Sequence, residues 1–204
     1  IINKNYRLFN TTINMVKRCE WANTDELMKN YHDKEWGVPV HDDVNLFEQL
    51  ILQGAQAGLS WITVLKKREN YRKAFDNFNF EKITSYDEKK IQELLNNKGI
   101  IRNELKIKSV IKNAKNFVEI RKDFGSFDNY IWKFINHTQL QNNWTSLDEI
   151  PTKTPLSKKI SKEMKKRGFQ FIGPTIIYAY MQAIGMVNDH LTYCFRYAQI
   201  KNEK

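Results

Sequence analysis

The chain of 204 residues has few cysteines, prolines and glycines: two, four and eight respectively. Two cysteines exclude the multiple-disulfide framework of small secreted domains, and a chain of this length can bury a core without cross-links. A signal-peptide-like apolar segment near the start and a linker rich in proline and serine are also missing from the sequence. We therefore predict one domain in the reducing cytoplasm, where the cysteines are free to act as thiolates.

A hydrophobic run long enough to cross a membrane is lacking as well. The longest uncharged stretch, residues 168–188, is broken by Gly173 and Pro174. The helix that can follow has about 14 residues and would measure about 21 Å, against the ~30 Å hydrocarbon core of a bilayer. The sequence therefore predicts a buried helix here and no membrane partner.

Acidic residues are outnumbered, 23 against 33 lysines and arginines, which gives a net charge of +10. Such an excess favours a polyanionic partner, and nucleic acid is the first to consider. Two basic clusters, residues 66–68 and 165–167, stand beside turns with glycine and aromatic residues, where they could flank a phosphate backbone. A basic protein without such a partner is the alternative at this point.

The alternation of polar and apolar residues that is typical of strands is absent, whereas helical spacing recurs from Asp42 onward. The two clearest apolar stripes are Leu46, Phe47, Leu50 and Ile51, and Ile107, Val110, Ile111, Ala114, Phe117 and Val118. Asp42 or Asp43 can cap the first helix, and Pro174 suits the first turn of another. We predict a single all-α domain of six to nine helices over residues 18–204.

Residues 1–17 have no acidic residue and no periodicity, and are interpreted as a mobile arm or upstream sequence.

The two cysteines lie near opposite ends of the chain, each with a histidine partner. Cys19 and His32 stand near the start, and His190 and Cys194 are one helical turn apart near the end. Zinc favours four thiolate and imidazole ligands in a closed tetrahedron, so this set predicts a site that joins the two ends of the domain. Spacing alone leaves buried, metal-free cysteines and histidines equally open.

Residues 165–175 have the pattern of a helix, a hairpin and a second helix. Gly168 can adopt the left-handed conformation that ends a helix, Phe169 and Phe171 can anchor the turn, and Gly173 permits close approach of the backbone. The amides at the start of the second helix, with Lys166 and Arg167 nearby, could hold DNA phosphates without reading base sequence. An ordinary helix connection is the alternative.

Four aromatic residues are concentrated near the candidate metal ligands and the segment 53–61: Trp21, Tyr31, Trp36 and Trp61. Each one alone is expected in a core. Together they predict a pocket in which a planar base can stack, as an enzyme that acts on a base flipped out of the duplex requires.

Several motifs occur in the order of a known family. These are Arg18-Cys-Glu-Trp21, Tyr31-His-Asp-Lys-Glu-Trp-Gly-Val-Pro39, Gln56-Ala-Gly-Leu-Ser-Trp-Ile-Thr-Val-Leu-Lys-Lys-Arg-Glu-Asn-Tyr71, Asn188-Asp-His190 and Cys194. From Arg18 to about Tyr197 the chain resembles DNA-3-methyladenine glycosylase I. The resemblance implies an all-α helix-hairpin-helix protein, with its hairpin unit at about residues 157–188. It also implies a base-excision repair enzyme that hydrolyses the N-glycosidic bond of 3-methyladenine in alkylated double-stranded DNA, without a lyase step. We predict that the protein is a monomer.

The resemblance assigns roles residue by residue. It implies one structural zinc ion and no organic cofactor, with Cys19, His32, His190 and Cys194 as the ligands. It places the base pocket on Trp21, Tyr31, Trp36 and Trp61, and the residue that wedges into DNA on Leu59. The hairpin pattern itself, and not the resemblance, predicts DNA contacts at Lys166, Arg167, Gly168 and Gly173. Asp189 is expected to support or cap this region, because its neighbour His190 is committed to zinc.

One position departs from the family pattern: Gln53 stands where the family has the acidic, catalytic residue of its pocket. A glutamine can still pair with an adenine edge. It lacks the charge, and charged hydrogen bonds exceed neutral ones by about 1–2 kcal/mol. We therefore predict a weakened glycosylase. The alternatives are a protein that binds damaged DNA or the free base with little turnover, and a zinc-stabilised DNA-binding protein with an empty pocket.

Overall fold

The computed structural model describes residues 16–202. Over this range the chain forms eleven α-helices, four short 3-10 helices and one pair of two-residue strands. The α-helices are α1 Glu26–Lys34, α2 Asp43–Ala55, α3 Trp61–Leu65, α4 Arg68–Ala74, α5 Phe80–Ile83, α6 Glu88–Asn96, α7 Glu104–Phe124, α8 Phe127–Trp132, α9 Pro155–Lys166, α10 Pro174–Ala183 and α11 Phe195–Asn202. The 3-10 helices are Glu20–Thr24, Asp76–Phe78, Lys133–Ile135 and Leu147–Glu149, and the strands are β1 Leu140–Gln141 and β2 Val187–Asn188. The prediction of a mainly helical protein is confirmed.

The helix count exceeds the predicted six to nine because several helices are only one or two turns long. α5 has four residues and α3 has five, too few for an apolar stripe to show in the sequence. Positive φ angles at residues 76–78 also separate α4 from α5. β1 and β2 pair in parallel, with Leu140 opposite Val187, and such a short pair has no period-2 signal.

Polar caps fix the helix starts. The Asp42 carboxylate accepts a hydrogen bond from the Asn45 amide at 2.9 Å, which confirms the predicted start of α2. Thr154 begins α9 with a capping box, and Pro174 occupies the first turn of α10 as predicted. These residues therefore define where α2, α9 and α10 begin.

The two predicted apolar stripes form the centre of the core. Those on α2 and α7 are buried, apart from the half-buried Val118. Phe117 of α7 stacks on Phe127 of α8, with ring centroids 4.1 Å apart. The Tyr180 hydroxyl of α10 donates to the Leu46 carbonyl at 3.1 Å. The long α7 therefore supports α2, and α2 holds α10.

α9 and α10 are joined by the predicted hairpin. Gly168 has φ +89 and Phe171 has φ +52, so the chain reverses through two left-handed residues. Asn113 of α7 holds the hairpin by two hydrogen bonds to the backbone of Gln170, at 3.0 and 2.8 Å. The Ser161 hydroxyl donates to the Ile172 carbonyl at 2.6 Å. The hairpin is thus fixed to both α7 and α9.

The start and the end of the described chain meet. The Phe195 amide donates to the Lys17 carbonyl at 3.0 Å, which ties the last residue of the predicted arm to α11. Residues 1–15 of that arm lie outside the described residues. Within residues 16–202, every helix is too short or too polar to span a lipid bilayer.

Candidate functional site

A cavity of about 450 Å³ opens between the N-terminal segment, α2, α3, α10 and the segment that precedes α9. Its lining comprises Trp21, Met28, Tyr31, Trp36, Gln53, Gln56, Trp61, Leu147, Ile150, Pro151, Thr152, Thr175, Tyr178, Ala179 and Gln182. The four predicted pocket aromatics and Gln53 therefore face the same space, although they are spread over 41 positions of the chain. The volume suits a small planar ligand.

The aromatic rings form two walls of this cavity. Trp21 and Trp36 meet edge to face with ring centroids 5.0 Å apart, and Tyr31 lies 5.2 Å from Trp61. Tyr31 and Trp36 are buried, while Trp21 and Trp61 are half-buried. Rings held in this way offer rigid apolar faces at little cost in side-chain entropy.

Three polar atoms of the lining are buried and have no hydrogen-bond partner among the described residues: Tyr31 Oη, Gln53 Oε1 and Trp61 Nε1. An unsatisfied buried polar group costs about 1–3 kcal/mol, so such atoms in one cavity point to a ligand that satisfies them. The amide oxygen is an acceptor, the indole N–H is a donor, and the hydroxyl can do both. Burial raises the pKa of Tyr31, with a further contribution from Glu35, so its hydroxyl keeps its proton.

A buried carboxylate stands behind the cavity. Asp189 is 0% exposed and accepts four hydrogen bonds, from Asn142, Trp144, Tyr178 and Gln182, at 2.6–2.8 Å. The amide nitrogen of Gln182 points to Asp189. Burial, followed by the charge and the hydrogen bond of Asp189, raises the pKa of Tyr178. Asp189 therefore fixes two residues of the cavity wall.

Sequence reasoning missed Tyr178 and Gln182. They are four residues apart on α10, so they share one face of that helix. Two polar residues at this spacing on a mainly apolar helix are a signal that could have identified them. Asp189 was expected to support the zinc ligands or to cap this region. Its hydrogen bonds come instead from Tyr178 and Gln182 of the cavity wall and from Asn142 and Trp144.

The predicted ligand set comes together beside the cavity. Cys19, His32, His190 and Cys194 are buried, and one ligand atom from each lies within 4.8 Å of the others. His190 Nδ1 lies 3.2 Å from His32 Nε2, 3.5 Å from Cys194 Sγ and 3.8 Å from Cys19 Sγ. The distance from Cys194 Sγ to His32 Nε2 is 3.4 Å. This cluster, the Cys/His cluster below, has the donors to bind a metal ion.

The remaining nitrogen of each imidazole ring has a partner outside the cluster. His32 Nδ1 lies 2.8 Å from Asp33 Oδ1, and Asp33 in turn accepts hydrogen bonds from Arg18. His190 Nε2 lies 2.9 Å from the Trp36 carbonyl. Such contacts set which nitrogen of a histidine is free to bind a metal.

The Cys/His cluster also supports the aromatic walls. The ring centroid of Trp21 lies 5.2 Å from that of His32, and the centroid of Trp36 lies 4.7 Å from that of His190, both edge to face. Trp21 follows Cys19 closely in the chain, and Tyr31 precedes His32. The cluster therefore packs directly against the wall of the cavity.

Leu59 and the hairpin carry the features predicted to contact DNA. Leu59 is 41% exposed and follows Gly58, which has φ +76, in the turn between α2 and α3. An added Cβ at Gly173 would have no neighbour within 4 Å, so a ligand can approach the backbone there. Lys166 pairs with Glu163 at 3.0 Å.

Arg167 is directed elsewhere. It donates to Asp123 at 2.8 Å, and its guanidinium lies 5.0 Å from the ring centroid of Phe124. Gly168 closes the preceding helix, and its amide donates to the Lys165 carbonyl at 2.9 Å. The hairpin thus presents Lys166 and an open backbone, while the Arg167 side chain packs on a different surface.

Comparisons with known proteins agree with this geometry. Residues 21–197 match the sequence profile of the methyladenine glycosylase family. The chain is 47% identical over 180 residues to DNA-3-methyladenine glycosylase of Haemophilus influenzae, covering 88% of this chain and 97% of that protein. A crystal structure of 3-methyladenine DNA glycosylase I superposes with a TM-score of 0.86 at 49% identity, covering 88% and 98% of the two chains. A tyrosine-to-phenylalanine variant of such an enzyme, solved in complex with 3-methyladenine, has a TM-score of 0.85 at 30% identity and covers 87% and 96%.

Proposed function

Since this chain belongs to the methyladenine glycosylase family, we propose that it excises 3-methyladenine from alkylated DNA and initiates base-excision repair. The observation that carries this function is the cavity in which buried Tyr31, Gln53 and Trp61 each have an unsatisfied polar atom. A planar base with donors and acceptors on its edge fits between the aromatic walls. We further propose that residues 18–204 act as one domain and as a monomer.

The reaction requires the protein mainly to extract the methylated base from the duplex and to bind it. Methylation at N3 makes the base in DNA cationic, so the electron pair of the C1′–N9 bond can leave with the base, which becomes neutral. Water adds a hydroxyl to C1′ and loses a proton, which leaves an abasic site and an uncut strand. The aromatic walls stack on the cation, and Leu59 fills the gap in the duplex.

Gln53 contributes an acceptor at the pocket wall. Its Oε1 is buried and unpartnered in the described chain, so it can accept a hydrogen bond from the exocyclic amine of the base. A carboxylate at this place would also favour the positive charge of the base before it leaves. The glutamine therefore supports recognition, with a smaller electrostatic contribution to the reaction.

Gln53→Glu is expected to increase the single-turnover rate of 3-methyladenine release from methylated duplex DNA. A charged hydrogen bond exceeds a neutral one by about 1–2 kcal/mol, which corresponds to about a five- to thirtyfold faster rate. Gln56→Glu is the matched control, since it adds the same charge at another position of the cavity lining. We expect it to change the rate much less.

The outcome also separates the two candidate functions. Release by both the unchanged chain and Gln53→Glu, faster with glutamate, supports a weakened glycosylase. Release by Gln53→Glu alone would make this chain a binding form with little turnover. Release by neither, with the fold intact, would contradict the enzymatic function.

The Cys/His cluster fits a structural zinc ion. A tetrahedron with Zn–N near 2.05 Å and Zn–S near 2.3 Å has N···N, N···S and S···S edges of about 3.3, 3.6 and 3.8 Å. The two imidazole nitrogens lie 3.2 Å apart, and Cys194 Sγ lies 3.4 and 3.5 Å from them. With four protein ligands, no position is left for a reactive water, so the ion would serve the fold and the pocket walls.

Asp189 acts as a positioning residue in this account. Because it accepts from the amide nitrogen of Gln182, the oxygen of that amide is free to face the cavity. It likewise holds the hydroxyl of Tyr178 away from the ligand space. Gln182 is then a second acceptor for the base.

A further inference from the structure

A second cavity, of about 620 Å³, lies between the end of α8 and one side of α9. We call it the Tyr130 groove, and its lining comprises Tyr130, Lys133, Phe134, Asn136, Lys159, Glu163 and Arg167. It shares no lining residue with the base cavity. Nothing in the proposed reaction uses it.

Tyr130 gives the groove a polar group without a partner. Its side chain is 1% exposed, and its hydroxyl has no hydrogen bond to any residue in the range 16–202. Phe124 and Phe127 pack against the ring, with centroids at 5.1 and 5.6 Å. Burial raises the pKa of Tyr130 to about 12, so the hydroxyl is available as a hydrogen-bond donor. A buried donor without an acceptor indicates a ligand that supplies one.

The charges around that hydroxyl are mainly positive. Lys133 lies over the rings of Phe124 and Tyr130, at 3.9 and 4.7 Å from their centroids. In the described part of the chain, neither Lys133 nor Lys159 has an acidic partner within ion-pair distance. Burial, followed by the charge of Arg167, lowers the pKa of Lys133, and the charge of Glu163 opposes this only in part, so an anion here would relieve an unfavourable arrangement.

The acidic residues nearby in the described chain form ion pairs with other cations and not with Lys133 or Lys159. Glu163, the one acidic residue of the groove lining, pairs with Lys166 at 3.0 Å. Asp123 pairs with Arg167 at 2.8 Å, outside the lining. The groove therefore keeps an excess of positive charge that its own side chains do not neutralise.

We propose that the Tyr130 groove binds a phosphodiester group of duplex DNA, at a distance from the flipped base. The hydroxyl of Tyr130 donates to a phosphate oxygen, and Lys133 and Lys159 neutralise its charge. This proposal rests on the proposed function, because it assumes a double-stranded DNA substrate.

The shape of α9 connects the groove to the hairpin. Lys158, Lys162, Lys165 and Lys166 line a shallow depression with Pro174, at the start of α10. At about 100° per residue, Lys159 lies about 20° from Lys166 around α9 and so at the edge of this lysine row, while Arg167, which follows the helix, is turned about 100° from Lys166 toward Tyr130. The 12 residues of α9 span about 18 Å, and duplex DNA carries one charge per about 1.7 Å of its axis. A strand held at the hairpin can thus place another phosphate in the groove.

The double variant Lys133→Gln, Lys159→Gln tests the two cations. Its affinity for a duplex with one lesion is measured by fluorescence anisotropy over a range of salt concentrations. Each lost phosphate contact should make the slope of log K against log salt shallower by about 0.9, so we expect a change of roughly 1–2 and a higher Kd. Lys89→Gln with Lys98→Gln removes the same charge from exposed residues outside the groove, and should leave most of the slope intact.

Tyr130→Phe tests the hydroxyl separately. Because the hydroxyl is unsatisfied in the free protein, its removal should leave Tm unchanged or higher. We expect the Kd for DNA to rise about tenfold, since a hydrogen bond to a charged group is lost. A purely structural role of Tyr130 would instead lower Tm and leave the Kd unchanged.

An unchanged salt slope in Lys133→Gln, Lys159→Gln, or an unchanged DNA affinity in Tyr130→Phe, would overturn the groove assignment. All groove variants should bind free 3-methyladenine as the unchanged chain does, because the base cavity is separate. If these variants bind free 3-methyladenine normally and their DNA affinity is also unchanged, only the groove assignment is wrong. A chain that binds neither duplex nor free base would overturn the proposed function and this inference together.

Discussion

Cys194→Ala is expected to abolish metal binding and to lower Tm by about 10–20 °C. A structural metal site that joins distant segments contributes several kcal/mol, and 1 kcal/mol corresponds to about 2–4 °C in a domain of this size. Cys194 and His190 follow α10, whereas Cys19 and His32 belong to the N-terminal segment. Loss of one ligand would therefore weaken the connection between the two ends of the domain.

Metal content and Tm are to be measured on the same samples. Asp33→Asn is the matched control, because it leaves the four ligands in place and removes only the negative charge of the acceptor beside His32 Nδ1. It should weaken metal affinity about 10–100-fold and keep Tm near that of the unchanged chain when zinc is in excess. A Cys194→Ala variant with unchanged Tm, or an unchanged chain that binds no zinc, would contradict the structural site.

Trp61→Ala is expected to raise the Kd for free 3-methyladenine by about 10–100-fold. Stacking of a base on an aromatic ring contributes about 1–3 kcal/mol, and Trp61 also has an unpartnered indole N–H in the cavity. Trp61→Phe retains an aromatic ring and loses the indole N–H. Its Kd should therefore lie between that of the unchanged chain and that of Trp61→Ala. Isothermal titration calorimetry measures all three.

Trp132→Phe is the control for this series. Trp132 is 1% exposed in the main core, and its indole N–H donates to the Val40 carbonyl at 2.9 Å. This substitution should lower Tm and leave the Kd for the base unchanged. If Trp61→Ala also left the Kd unchanged, Trp61 would not be part of the base pocket.

The sequence contains much of the information about the Cys/His cluster. His190 and Cys194 are one helical turn apart, and zinc chemistry accounts for a set of two cysteines and two histidines. The order of the motifs bore on what spacing alone left open, namely whether these four residues bind a metal or are buried without one. The apolar stripes on α2 and α7 were also readable, because both helices are long enough to show their period.

Features that depend on packing were not readable from the sequence. Tyr178 and Gln182 become part of the cavity because the segment after α10 turns back and buries Asp189 beneath them. Arg167 was expected at the hairpin phosphates, yet its guanidinium pairs with Asp123, more than 40 positions away. Both outcomes depend on which helices meet, and local residue patterns do not determine that.

The residues proposed to contact DNA also differ in how far the sequence identifies them. Gly168 and Gly173 identify the hairpin from the sequence, since their conformational freedom is a local property. Tyr130 gave no such signal, because an aromatic residue in a helix is usually part of the core. Only its unpartnered hydroxyl in the folded chain distinguishes it.

The most direct test is to incubate the unchanged chain with duplex DNA carrying 3-methyladenine and to identify the products by chromatography and gel electrophoresis. Free 3-methyladenine and one abasic site per released base, with the strand uncut, are the expected products. Intact 3-methyladenine in the DNA after prolonged incubation, with a folded protein that binds the duplex, would contradict the glycosylase function.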